Sequence, residues 1–232
     1  MSPVPSEPAL RPVRVWDLPT RVFHWLLALT VIGSVVSGQV GGNAMHWHTR
    51  LGLLVLALLA FRLVWGFAGG YWSRFASFLY GPSSLMAQLR GQSGPGGRYE
   101  IGHSPVSSLS VWALLGSLAV QVATGLIADD EIATTGPLNR FVSGAVASAA
   151  SAWHKHVGKR LLIVLMLMHV AAVLYYLWRK QRNLIGPMIH GDKPLPAGTP
   201  ASADGGARRL EALAVLAVAL ALAWWVGSLD MP

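Results

Sequence analysis

The chain has 232 residues, 53% of them hydrophobic and only 12% charged, with a formal net charge of +8 and no cysteine. So little polar surface excludes an ordinary soluble fold. The missing thiols exclude a disulfide framework, thiolate-held iron–sulfur clusters and covalent C-x-x-C-H cofactor attachment, so any metal chemistry falls to the eight histidines.

A helix needs about 20 mostly apolar residues to cross a hydrocarbon core of about 30 Å. Five stretches qualify: Val22 to Val40, Leu51 to Ala68, Val106 to Ala128, Leu161 to Trp178 and Leu210 to Leu229. The first follows arginines and runs into small residues at Gly42-Asn43-Ala44, as a secretory signal would. Its length, the histidine inside it and the later spans argue that it stays attached. The pieces "GQSGPGG" and "KPLPAGTPASADGGA" read as flexible connectors. Asp129 to Ala152, "DDEIATTGPLNRFVSGAVASAASA", is too polar and small-residued to span, and is expected to form a short interfacial helix over one face. The fold expected is an all-α integral membrane protein: a four-helix transmembrane bundle within residues 1–190, a linker over 191–209 and an additional transmembrane helix over 210–229.

Basic residues are retained on the cytoplasmic side of a membrane, whereas acidic ones matter little. Alternate connecting segments carry Arg11, Arg14 and Arg21, then Arg74, Arg90 and Arg98, then Arg179, Lys180, Arg182, Lys193, Arg208 and Arg209. The opposite segments carry only Arg140, and with the helix-end residues Arg50, Arg62, Lys155, Lys159 and Arg160 included the balance is 13 against 5. The N-terminus is therefore expected in the cytoplasm and the C-terminus in the periplasm. The positive charge reads as topology and contact with membrane lipid, which leaves no need to invoke nucleic acid.

Ionisable groups at membrane depth are costly and usually functional, which sorts the histidines by position. His103 and His190 fall in connectors, where an exposed histidine is unremarkable. His24 lies just inside the first span, and His169 near the middle of the fourth. The remaining ones surround a repeated pattern, Trp-His-x-x-x-Gly, at "WHTRLG" (Trp47 to Gly52) and "WHKHVG" (Trp153 to Gly158). In both copies a histidine stands at the outer mouth of a span, tryptophan suits the interface, and a glycine one turn on leaves room for something bulky. His154 stands 15 residues before His169, about 60° beyond four full turns at 100° per residue, so both can face the bundle interior. His156 stands 13 residues away, about 140° off that face. The preferred pairs are His24 with His169 near the inner side and His48 with His154 near the outer side, with His46 left in a loop. Two such bis-histidine sites stacked across a bilayer are what two haems require.

The segments "VWDLPTRVFHWLLALTVIGSVVSG", "HTRLGLLVLALLAFRLVWGF", "RFASFLYGP", "GHSPVSSLSVWALLGSLAVQVATGL" and "HVAAVLYYLWRKQRNLIGPMIHGDKPLP" resemble the bacterial cytochrome b561 family, in the branch that includes the b-type cytochrome subunits of nickel–iron hydrogenases. The resemblance implies a four-helix core binding two haem b groups through histidines that fall here on His24, His48, His154 and His169. Helix five would lie outside that core. The family's usual spacing on the fourth helix lies between the two available here, so His156 stays open beside His154.

The function implied is transmembrane electron transfer in the bacterial inner membrane. A quinone pool is expected at one end and a redox partner protein at the other: a cytochrome c, a dehydrogenase or a hydrogenase subunit. Arg50, Lys155, Lys159 and Arg160 are candidates for the propionates of an outer haem, with snorkelling to lipid headgroups as the plain alternative, and Arg21 and Arg62 for those of an inner one. A histidine-lined proton-coupled or metal-ion transporter without haem is the competing class. It lacks carboxylate partners, since the first four spans contain no Asp or Glu. A bare membrane anchor would not require interior histidines.

Overall fold

The structure is a computed structural model and describes residues 9–92, 101–130 and 134–229. In chain order its elements are strand β1 (Leu10–Arg14), helices α1 (Leu18–Val40), α2 (Met45–Ala68), α3 (Pro82–Leu89), α4 (Pro105–Leu126) and α5 (Gly144–Ala152), a π-helical turn (Trp153–Gly158), α6 (Lys159–Trp178), α7 (Ile185–His190), strand β2 (Asp192–Pro196) and α8 (Gly206–Ser228). Among the described residues five helices are long and apolar enough to cross a membrane, and each contains or overlaps one of the five expected spans. The all-α integral membrane architecture follows.

Local chemistry sets the helix ends. Asp17 caps α1 by accepting a hydrogen bond from the Thr20 amide, with Pro19 in the first turn. The helix ends at Gly41, where φ is +67° and the amide donates to the Ser37 carbonyl. Ser104 caps α4 the same way ahead of Pro105. Helix α2 begins at Met45, so Trp47 and His48 belong to the helix, as does His46, which is exposed on its first turn and not in a loop.

The stretch expected as a separate interfacial helix behaves differently. Its second half, α5, is capped by Ser143 and runs through the π turn into α6 as one helix of 35 residues, Gly144–Trp178. Alanine and serine favour helix well enough to continue a span beyond the hydrocarbon, and 35 residues at about 1.5 Å each exceed a core of about 30 Å.

Helix α2 lies at the centre. Phe23 of α1, Ala57, Leu58, Phe61 and Trp65 of α2, and Ala212, Ala219 and Ala223 of α8 form one buried cluster. Val31, Val55, Leu118 and Leu162 form a second, where α1, α2, α4 and α6 meet. Lipid is as apolar as leucine, so helices in a bilayer associate through close packing of small residues. The alanine row of α8 and Gly227, whose added Cβ would lie 2.7 Å from Leu53 Cδ1, answer that need.

One end of the bundle is tied by a buried carboxylate. Asp17 is fully buried and accepts from the Thr20 amide, Trp65 Nε1, the Gly70 amide and Ser73 Oγ, at 2.8, 3.2, 2.8 and 2.8 Å. These donors join the start of α1 to the end of α2. The segment expected to be a flexible linker is built into the same end: β2 pairs antiparallel with β1, Ser202 donates to the Val15 carbonyl and accepts from the Trp72 amide, and Pro200 accepts from Trp72 Nε1. Asp204 takes the Leu18 amide, Arg14 at 2.9 Å and Arg209 at 3.3 Å. Proline and glycine in this segment serve defined turns, which composition alone reads as looseness. Most of "GQSGPGG", from Ser93 onward, and Arg98 lie outside the described residues.

Candidate cofactor site

Four histidines meet as two pairs inside the bundle. The rings of His24 on α1 and His169 on α6 have centroids 6.3 Å apart. Those of His48 on α2 and His154 in the π turn are 5.8 Å apart. His24 and His169 lie toward the end tied by Asp17, and the other pair lies toward the opposite end. His156 is exposed two residues beyond His154.

The far pair is held from behind. His48 Nδ1 lies 2.8 Å from the Ser34 carbonyl, and His154 Nδ1 lies 2.8 Å from the Gln121 carbonyl. A carbonyl can only accept, so each Nδ1 carries the proton and each Nε2 keeps its lone pair. That is the arrangement by which a second contact orients a metal-binding imidazole. Gly38 and Gly125 make the rings' places: an added Cβ would lie 2.9 Å from His48 Nδ1 or 2.7 Å from His154 Cε1. The repeated glycines of Trp-His-x-x-x-Gly differ from each other. A Cβ on Gly52 would meet nothing within 4 Å, whereas one on Gly158 would strike Gln121 Oε1 and Trp153. The second glycine therefore admits protein side chains.

The π turn resolves the spacing. A π turn takes up one more residue than an α turn, and such turns gather at functional sites. Fifteen residues that include one extra leave His154 about 40° short of four full turns from His169, a closer alignment than an unbroken helix gives. Nothing in the one-dimensional pattern marks this turn, nor Gln121, whose Nε2 donates to the His154 carbonyl at 2.9 Å.

The near pair is surrounded by cationic and aromatic groups. Arg62 and Arg21 are buried, and their Nη1 and Nε atoms respectively, together with His24 Nδ1, have no hydrogen-bond partner among the described residues. Arg62 donates to the Ser73 carbonyl and lies over the Phe75 ring at 4.6 Å; Arg21 donates to the Ile189 carbonyl. His103, expected as an exposed loop residue, is instead packed between Trp16 at 4.8 Å and Phe78 at 4.9 Å. Burial and then the nearby Arg62 and Lys193 push its pKa down to about 3, so it is neutral. His190 is exposed, as expected. At the far end Arg50 lies over Trp47 and Lys159 donates to Gln39, with Arg50, Lys155 and Arg160 exposed.

Among the described residues no group of three or more His, Cys, Asp or Glu gathers as a metal cage. Paired imidazoles instead suit a planar cofactor that offers one axial position on each face. Such pairs inside a spanning bundle are what a membrane redox protein holding a planar cofactor would need. A model of the prokaryotic cytochrome b561 family matches residues 15–191, and the chain belongs to that family. The family carries electrons through membranes on haem b. The match ends before β2 and α8. No curated protein matches the chain closely enough to add to this.

The residues present fit that group. A metal–imidazole bond of about 2 Å on each face, plus about 1 Å from nitrogen to ring centre, puts ring centres about 6 Å apart. The two pairs stand at 5.8 and 6.3 Å. The buried unpartnered guanidinium nitrogens suit a carboxylate-bearing cofactor edge.

Proposed function

We propose that the chain is a di-haem b-type cytochrome of the bacterial inner membrane, with His24 and His169 holding one haem and His48 and His154 the other. The observation that carries this is the two imidazole pairs, each at the separation that axial ligation needs, on helices that span the membrane. Held between two imidazoles, haem would supply one-electron transfer.

The chain's own residues do the rest. Ser34 and Gln121 carbonyls fix the tautomer of the far pair, and the glycines at 38 and 125 let the rings sit against their helices. Arg21 and Arg62 supply buried positive charge at the near end, where it would hold propionates and favour the added electron. Phe75, Phe78, Trp16 and His103 close that end against water.

The two sites, separated by roughly 22 Å of helix rise between His154 and His169, would relay electrons between the two membrane faces. The near end faces the cytoplasm on the balance of basic residues, with the N-terminus inside and the C-terminus in the periplasm. Electrons pass between the quinone pool and a redox partner protein, a cytochrome c, a dehydrogenase or, as in the nickel–iron hydrogenase branch, a hydrogenase subunit. Purified protein in detergent, mixed anaerobically with a short-chain quinol, is expected to show haem reduction. No reduction by any quinol would overturn the quinone assignment. Separately, His154→Ala is expected to lose one haem and His156→Ala none; the reverse would overturn the choice of ligand.

A further inference from the structure

We infer that Gln121 of α4 is a positioning residue that maintains the π turn and, through it, sets the bearing of His154 toward His48; this rests on the di-haem reading above. A π turn leaves a carbonyl poorly matched to the amides that follow it, and an unmatched carbonyl inside a membrane is costly. Gln121 meets that need from another helix. Its Nε2 donates to the carbonyl of His154, 2.9 Å away, while its own main-chain carbonyl accepts from His154 Nδ1 at 2.8 Å. One residue thus holds both the backbone and the ring of the same histidine.

Its surroundings are cut to admit it. A side chain on Gly158 would strike Gln121 Oε1, and one on Gly125, four residues beyond Gln121, would lie 2.7 Å from the His154 ring. Gln121, Gly125, His154 and Gly158 form one interlocked set. Without the amide donor, an α-helical turn is the cheaper backbone. The extra residue between His154 and His169 would then turn His154 away from His48.

Substitution Gln121→Leu keeps bulk and removes the donor, and Gln121→Met keeps length while removing it. Two readouts apply. In protein without haem, the imidazole nitrogen resonances of 15N-labelled His154 report the Nδ1–H bond directly, so they stand whether or not the haem reading survives. In the haem-loaded protein, a redox titration is expected to resolve two transitions. Both variants should weaken haem affinity at the His48–His154 site by about ten- to hundredfold, the usual effect of losing such support, leaving the other transition unmoved. Deleting Val157, which removes the extra residue, should make Gln121→Leu harmless. Unchanged resonances and an unchanged pair of transitions in the Met variant would overturn the inference. So would equal damage by Gln121→Leu with and without Val157. If the Leu variant fails to accumulate, the Met variant decides between these outcomes.

Discussion

A methyl group has no room at Gly125 or Gly38, because each glycine lies against an imidazole that is itself pinned by a carbonyl. Contacts of 2.7 and 2.9 Å force the ring to move, and a ligand displaced by part of an ångström loses most of its value. Gly125→Ala is accordingly expected to reduce haem content toward one per chain while the protein still accumulates; full haem content would refute the packing account. Asp17 illustrates a different kind of constraint. Replacing it with alanine strands four buried donors, at about 1–3 kcal/mol each before water relieves them. The thermal unfolding midpoint in detergent should fall in the order wild type, Asp17→Asn, Asp17→Ala, with a loss of about 3 kcal/mol or more for alanine. Equal midpoints would show that the carboxylate does not tie the helices. Neither role was legible beforehand, since a glycine against a ring and an aspartate before a helix look ordinary until the third dimension supplies their neighbours.

Among the elements, the spans were the most legible part, because hydropathy over 20 residues is a strong signal and the bilayer enforces helix. The paired histidines were legible too, His24 and His169 because each sits in a run with few other polar groups, His48 and His154 because each stands in a copy of the repeated Trp-His-x-x-x-Gly pattern. What escaped sequence reading has a common physical origin. The π turn depends on an amide from α4, and the order of 192–205 depends on β1 and on Trp72, all far away in sequence. The Asp204 junction, which anchors the start of α8 to α1 and β1, carries a pH consequence. Burial opposes its ionisation, but the Leu18 amide, Arg209 and Arg14 outweigh that and hold the carboxyl below its ordinary value. A depressed carboxyl contributes stability above the ordinary carboxylate pKa and loses it as pH falls through the lowered value. His103, held neutral, acts in the same direction, disfavouring the fold as pH drops below the ordinary imidazole range. Amide protection in 197–205, measured relative to the intrinsic exchange rate at each pH, should therefore fall on acidification, and Asp204→Asn should show that weaker protection already at neutral pH. Protection independent of pH in the wild type would contradict the junction's role.

At the scale of the whole molecule, the bundle places one imidazole pair toward each end, with α2 packed between α1, α4 and α8. The ends differ in character. The near one is closed by aromatics, buried arginines and the antiparallel β1–β2 pair, while the far one offers exposed basic side chains at the helix mouths. Helix α8, beyond the family match, covers α2 through an alanine row and leaves Trp224 and Trp225 outward, where tryptophan suits the membrane interface. The central claim is that this fold holds two haems between four named histidines. Its most direct test is the haem-to-polypeptide ratio of purified protein, read with the reduced-minus-oxidised spectrum. Two b-type haems per chain are expected in the wild type, and one after either His48→Ala or His24→Ala. A colourless protein, a single haem in the wild type, or an unchanged ratio in both variants would contradict it.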